Sequence, residues 1–154
     1  MPLIAIEEHW MLPDLTSALN ALPLELRDDS LAFNEMGDHR QRLEDLGAGR
    51  LATMDAQGID LSIIALTPPG THPLPAAEAV RLSSAANDVA AAAVTGNPSR
   101  FRSLSTLPMS SPEDVPAELE RAASLGHVGT MVYGRSGDRF LDDPCYDEFF
   151  SVAA

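Results

Sequence analysis

The sequence predicts an α/β fold, about four strand–helix units making half of a parallel (β/α)8 barrel (TIM barrel). Apolar runs suited to buried strands alternate four times with helical spacings. The connections after the first loop are short, as right-handed crossover units require. A doubly wound sheet would instead carry a glycine-rich turn after its first strand, where this chain has Glu7-Glu8-His9-Trp10. Four units are half of a barrel, which needs about 250 residues when closed.

Leu3-Ile4-Ala5-Ile6 is too short for a globular helix and suits a strand buried on both faces. Alternation along that strand would put Glu7 and His9 on one face and Glu8 on the other. A carboxylate and a neutral imidazole so placed can hold a divalent ion, zinc, manganese or magnesium, with substrate completing the shell. The bland account of the same residues is a solvated strand end. Met11 to His39 shows no sustained period. Thr16 to Leu22 allows two helical turns before Pro23 limits them. A long loop directly after a first strand suits a functional segment, with Trp10, Met11, Leu12 and Phe33 as its apolar contacts.

From Arg40, the spacing of Leu43, Leu46, Leu51 and Met54 predicts a helix ending at Gln57-Gly58. Ile59 to Leu66 reads as the second strand, closed by Thr67-Pro68-Pro69-Gly70. Ala79, Leu82, Ala86, Val89 and Ala93 mark one face of the next helix, which Gly96-Asn97-Pro98 stops. Phe101 to Leu107 is the third strand. A helix from Val115 or Pro116, capped by Asp114, runs to Leu125-Gly126, and Val128 to Tyr133 is the fourth strand. Gly134 to Asp138 reads as a loop. Asp143 as cap and Pro144 at the first helical position open a last helix, with Tyr146, Phe149, Phe150 and Ala153 on its apolar face.

Barrel chemistry gathers at strand C-terminal ends, so Glu7, His9, Thr67, His72 and Tyr133 fall on one side of the domain. Other residues read as structural. His39 and His127 precede elements, Asn87-Asp88 lie inside a helix, and Cys145 has no visible base partner. No Gly-x-Ser-x-Gly elbow is present.

Composition excludes several classes. Twenty-three acidic against ten basic residues give a net charge of -13, which repels nucleic acid and anionic membrane surfaces. Every basic residue is arginine, so a lysine Schiff base is excluded within the chain. One cysteine forms no internal disulfide, and the first ten residues carry two Glu and no basic side chain. No apolar run approaches the ~18 residues of a membrane span. The expectation is a soluble, cytoplasmic protein.

Ile6-Glu7-Glu8-His9-Trp10, Leu51 to Asp60, Ala86-Asn87-Asp88, Pro98 to Phe101, Leu107-Pro108, Glu118 to Arg121, Leu125 to Gly129 and Leu141 to Pro144 appear in an order that resembles the amidohydrolase-related decarboxylases. That group acts on aromatic and unsaturated carboxylic acids. The resemblance implies the N-terminal half of a TIM barrel of metal-dependent amidohydrolase type. It makes residues 1–154 a single, truncated partial-barrel domain, with the first strand and active-site loop in 1–39 and βα units in 40–154. It further implies a divalent metal on Glu7 and His9, and substrate contacts from Trp10, Thr67, His72 and Tyr133. The substrate would be a small carboxylic acid. The open edges of the first and fourth strands in a four-unit sheet predict, separately, a homo-oligomer. Further metal ligands and the catalytic acid are implied beyond the fourth unit, past Ala154, which makes the 154-residue chain an inactive half. Tyr133-Gly134 stands where many members have Asn-Gly. Metal-dependent hydrolysis is the alternative chemistry, and a non-catalytic half-barrel or interaction module the alternative of another class.

Overall fold

The computed structural model describes residues 1–154. Strands β1 (Ile4–Trp10), β2 (Leu61–Leu66), β3 (Phe101–Thr106) and β4 (Gly129–Met131) form one parallel sheet in sequence order, 1-2-3-4. That order decides between the two architectures that alternation allows. A doubly wound sheet reverses its strand order at a switch point, whereas a barrel keeps winding one way. The chain has the architecture of half a TIM barrel.

The segment after β1 is more ordered than its sequence predicts. It holds α1 (Pro13–Ala21), a 3-10 turn at Leu24–Leu26, α2 (Leu31–Asn34) and α3 (His39–Glu44). Pro13 opens α1, where its missing N–H costs nothing, and the helix ends before Pro23 as expected. Trp10 and Met11 are buried, but Phe33 stands exposed and anchors nothing. The single helix expected from Arg40 is two, because the Asp45 carboxylate accepts from the Gly47 N–H at 2.6 Å and offers the backbone a turn instead. The second piece, α4 (Ala48–Gln57), ends at Gly58 in the left-handed region, φ 70°. A Cβ there would meet nothing within 4 Å, so the conformation alone demands glycine. Gly58→Ala is expected to lower stability by about 1 kcal/mol in urea denaturation.

The remaining helices are α5 (Ala76–Gly96), α6 (Val115–Ser124) and α7 (Asp147–Ala153). α6 starts where its prolines predict, behind a 3-10 turn at Pro112–Asp114. Asp114 does not cap it, because its carboxylate accepts from the Ser111 hydroxyl at 2.6 Å. Asp143 does cap, accepting from the Cys145 N–H at 2.9 Å, although the turn it opens is 3-10 before α7 begins. β4 stops at Met131, short of the predicted Tyr133. Its partner β3 runs into Leu107-Pro108, and proline has no N–H to extend the ladder. The expected loop at 134–138 folds back as a hairpin, β5 (Arg135–Ser136) with β6 (Arg139–Phe140), turning on Gly137 at φ 61°.

One sheet face is covered. Trp10, Ile64, Leu66 and Phe101 pack there against Leu15 and Leu19 of α1, Met54 of α4 and Leu82 of α5. A smaller cluster joins Leu107 and Met109 to Val115, Tyr146 and Phe149, and the Tyr146 hydroxyl donates to the Met109 carbonyl at 2.8 Å. The opposite face of β1 is bare, with Ile4 49% and Ile6 66% exposed. No helix of the chain is long and apolar enough to cross a membrane.

Candidate functional site

The end of β1 departs from simple alternation. Ile6 pairs with Ile63 and Glu8 with the next residue, Ile64, so Glu7 is an extra residue in a bulge. Its φ is 57°, and it is the one non-glycine residue of the chain at positive φ. An L-residue is held there at a cost of about 1 kcal/mol or more, and such positions concentrate at functional sites. His9 then lies beside Ala65 and Trp10 beside Leu66. Trp10 and Leu66 both belong to the main core, so His9 turns to the opposite face, which it shares with Ile6. The geometric expectation that Glu7 and His9 share a face by plain i, i+2 spacing is corrected by this bulge. Their relation is set by the kink at Glu7.

Sequence-derived candidates fall into two clefts. Glu8, His9 and Thr67 line one of about 890 Å3, together with Arg42 and Arg50. Arg50, which the sequence did not single out, reaches from α4 to donate to the His9 carbonyl at 2.7 Å and the Asp45 carbonyl at 2.8 Å. Burial weakens its hold on the proton, and the Glu8 and Asp45 carboxylates oppose that shift. Arg50 therefore fixes the backbone at the strand end.

His72 and Tyr133 line the second cleft, about 730 Å3, between the β2–α5 loop, Ser110 and the β5–β6 hairpin. Their rings meet edge to face at 4.6 Å. Burial depresses the His72 imidazole to about 4, so it is neutral at pH 7. Burial pushes the Tyr133 phenol up to about 12, and the charges of Asp28 and Glu7 add to the shift. Glu7 itself lines neither cleft. Trp10 lines neither cleft; it is 2% exposed, in the main core. Ala154, past which the resemblance puts the catalytic acid, is an exposed residue that follows α7 and lines neither cleft.

No family model matches the chain. Gamma-resorcylate decarboxylase of Rhizobium radiobacter is 33% identical over 149 residues, covering 93% of this chain and 42% of that protein. 5-Carboxyvanillate decarboxylase from Sphingomonas paucimobilis superimposes with a TM-score of 0.87 at 30% identity, over 99% of this chain and 48% of that one. The chain is homologous to amidohydrolase-related decarboxylases. It spans less than half the length of the curated relatives it matches. The 5-carboxyvanillate decarboxylase of Novosphingobium aromaticivorans, complexed with manganese and 4-hydroxy-3-methoxy-5-nitrobenzoic acid, matches 98% of the chain with a TM-score of 0.87 at 31% identity. Manganese is bound in that last relative, and a carboxylate and an imidazole such as Glu7 and His9 are donors of the kind a divalent ion takes. No three His, Cys, Asp or Glu side chains in the chain stand close enough to hold an ion between them. Glu7 and His9 offer two donors, one fewer than a catalytic site ordinarily takes from protein.

Proposed function

We propose that this chain supplies four βα units of a metal-dependent decarboxylase of aromatic carboxylic acids, with residues 1–154 as one partial-barrel domain. The reading is carried by the 0.87 TM-score to a manganese-containing aromatic-acid decarboxylase over 98% of the chain. The left-handed Glu7 at the bulge in the middle of β1 supports it from within the chain. Glu7 and His9 would hold the ion, which when bound supplies a template and an electrophile for carboxylate and hydroxyl oxygens. Thr67, His72 and Tyr133 would contact substrate, and Trp10 would act from the core by fixing the strand end. The acid that protonates the ring carbon would come from barrel units beyond Ala154. Zinc and magnesium are alternatives to manganese at this donor set. A homo-oligomer in a reducing, cytoplasmic setting completes the reading, supported by the single free, exposed cysteine.

Two donors imply weak binding. The 154-residue chain is expected to bind manganese weakly in calorimetry and to release no carbon dioxide from 2,6-dihydroxybenzoate. Joined to the remaining barrel units of gamma-resorcylate decarboxylase, it is expected to turn over with manganese and to lose at least about 100-fold in kcat with Glu7→Ala. Tight stoichiometric metal binding by the short chain, or metal-independent turnover by the fusion, would contradict the reading. Inactivity of a folded, metal-loaded fusion would favour the non-catalytic alternative.

A further inference from the structure

Eight buried side-chain nitrogen and oxygen atoms in the chain have no hydrogen-bond partner, and four of them lie in residues lining the second cleft. They are both ring nitrogens of His72 and the hydroxyl oxygens of Ser110 and Ser136. His72 is 8% exposed and Ser136 is likewise buried. The Arg135 carbonyl lies near the imidazole, and the Tyr146 hydroxyl near Ser136, but neither contact has hydrogen-bond geometry, and the Tyr146 proton already goes to Met109. A buried polar atom left unpaired costs about 1–3 kcal/mol, so four in one cleft point to a polar group that belongs there.

The chemistry of that group follows from the donor set. Neutral imidazole presents one N–H and one lone pair, and each serine hydroxyl can both give and accept. A carboxylate only accepts, so it would leave the imidazole lone pair unmet and would bury its charge with no buried cation beside it. An ammonium only donates. A hydroxyl does both and carries no charge. Pro69, Leu74, Met109 and the Tyr133 ring supply apolar surface beside it. At the lining, Arg27, Arg135 and Arg139 are balanced by Glu25, Asp28 and Asp138, so the cleft is no general anion trap.

We propose that His72, Ser110 and Ser136 form a subsite for a neutral ring hydroxyl, with the aromatic ring against Tyr133, Leu74 and Met109. The inference rests on the aromatic-acid reading only for the kind of ring; binding requires neither metal nor turnover.

The test is a titration of the metal-free 154-residue chain, in chelator, with resorcinol and with 1,3-dimethoxybenzene, followed by amide chemical shifts. Resorcinol is expected to shift the signals of His72, Ser110 and Ser136, and the dimethoxy analogue, which cannot donate, to bind at least about tenfold more weakly. His72→Leu and Ser136→Ala are each expected to weaken resorcinol by about tenfold, while His72→Gln, which keeps a donor and an acceptor, retains most of the affinity. Folding of each variant is checked by its amide spectrum, and Ser136→Ala stands in if His72→Leu unfolds. Equal binding of the two probes, no shifts at saturating resorcinol, or shifts confined elsewhere would overturn the subsite and leave ordered water as its occupant. A fusion enzyme that fails to turn over while resorcinol still binds here would overturn the decarboxylase reading and uphold the subsite.

Discussion

Asn87→Ala is expected to lower the free energy of unfolding by about 3 kcal/mol at pH 7, measured by urea denaturation. Asn87 sits on α5, 2% exposed. Its amide donates to the Thr106 carbonyl at 2.9 Å and to Glu118 Oε1 at 2.6 Å, and its Oδ1 accepts from the Thr106 N–H at 2.9 Å. One side chain thus ties the last residue of β3 to the helix behind it and to a buried carboxylate on α6. Alanine leaves both Thr106 backbone groups without their side-chain partner in a site water does not reach, and leaves Glu118 Oε1 with Arg121 alone as donor. A substitution at an exposed position on the same helix, such as Arg81→Gln, is expected to change stability by less than about 0.5 kcal/mol.

The same network sets the response to acid. Burial would raise the Glu118 carboxyl, but hydrogen bonds from Arg121, Ser84 and Asn87 outweigh burial and hold it below its usual value. A carboxyl with a lowered folded-state pKa stabilises the protein above its unfolded value of 4.5, and that contribution is lost as pH falls through the folded value. His72 acts in the window above. Its imidazole takes a proton near 6.5 in the unfolded chain and only near 4 in the folded one, so stability declines as pH falls between those values. The thermal midpoint is therefore expected to drop as pH falls from 7 to 4 through His72 and to go on dropping below 4.5 through Glu118. His72→Gln should flatten the upper part of that profile, and Glu118→Gln the lower part.

How much of this is legible in the sequence depends on whether the signal is local. Four strand–helix alternations, the Gly58 stop and the Asp143-Pro144 start are written in neighbouring residues, and the folded chain follows them. The bulge at Glu7 is not, because nothing in Ile6-Glu7-Glu8 distinguishes a regular pair from an inserted residue; the register of β2 decides it. Arg50, Ser110 and Ser136 join their clefts through contacts between residues far apart in sequence, where spacing carries no information. Asn87 reads as structural from its place in a helix, but its partners Thr106 and Glu118 lie 19 and 31 positions away. The hairpin at Arg135–Phe140 does have a local signal, since Ser136-Gly137-Asp138-Arg139 carries the Gly-Asp pair of a tight turn.

The purified 154-residue chain is expected to self-associate at micromolar concentration through the outer edges of β1 and β4. β1 pairs only with β2 and β4 only with β3, so each presents an outer row of backbone donors and acceptors to water. Beside those edges Ile4, Ile6 and Val128 are 49%, 66% and 56% exposed, on a sheet whose other face is fully packed. Rotation by 180° about the barrel axis preserves strand direction, so β4 of one copy can lie parallel to β1 of the next, and two such contacts close a ring of eight strands. The net charge of -13 slows encounter without covering either edge. Light scattering across a dilution series should show a mass rising from 16.4 kDa toward twice that value. Ile6→Lys combined with Val128→Lys should hold it at the monomer while leaving the α5 amides protected. A wild-type chain that stays monomeric, with β1 and β4 amides as slow to exchange as those of β2, would mean that both edges are satisfied within one copy, and the open half-barrel would have to be abandoned as the solution form.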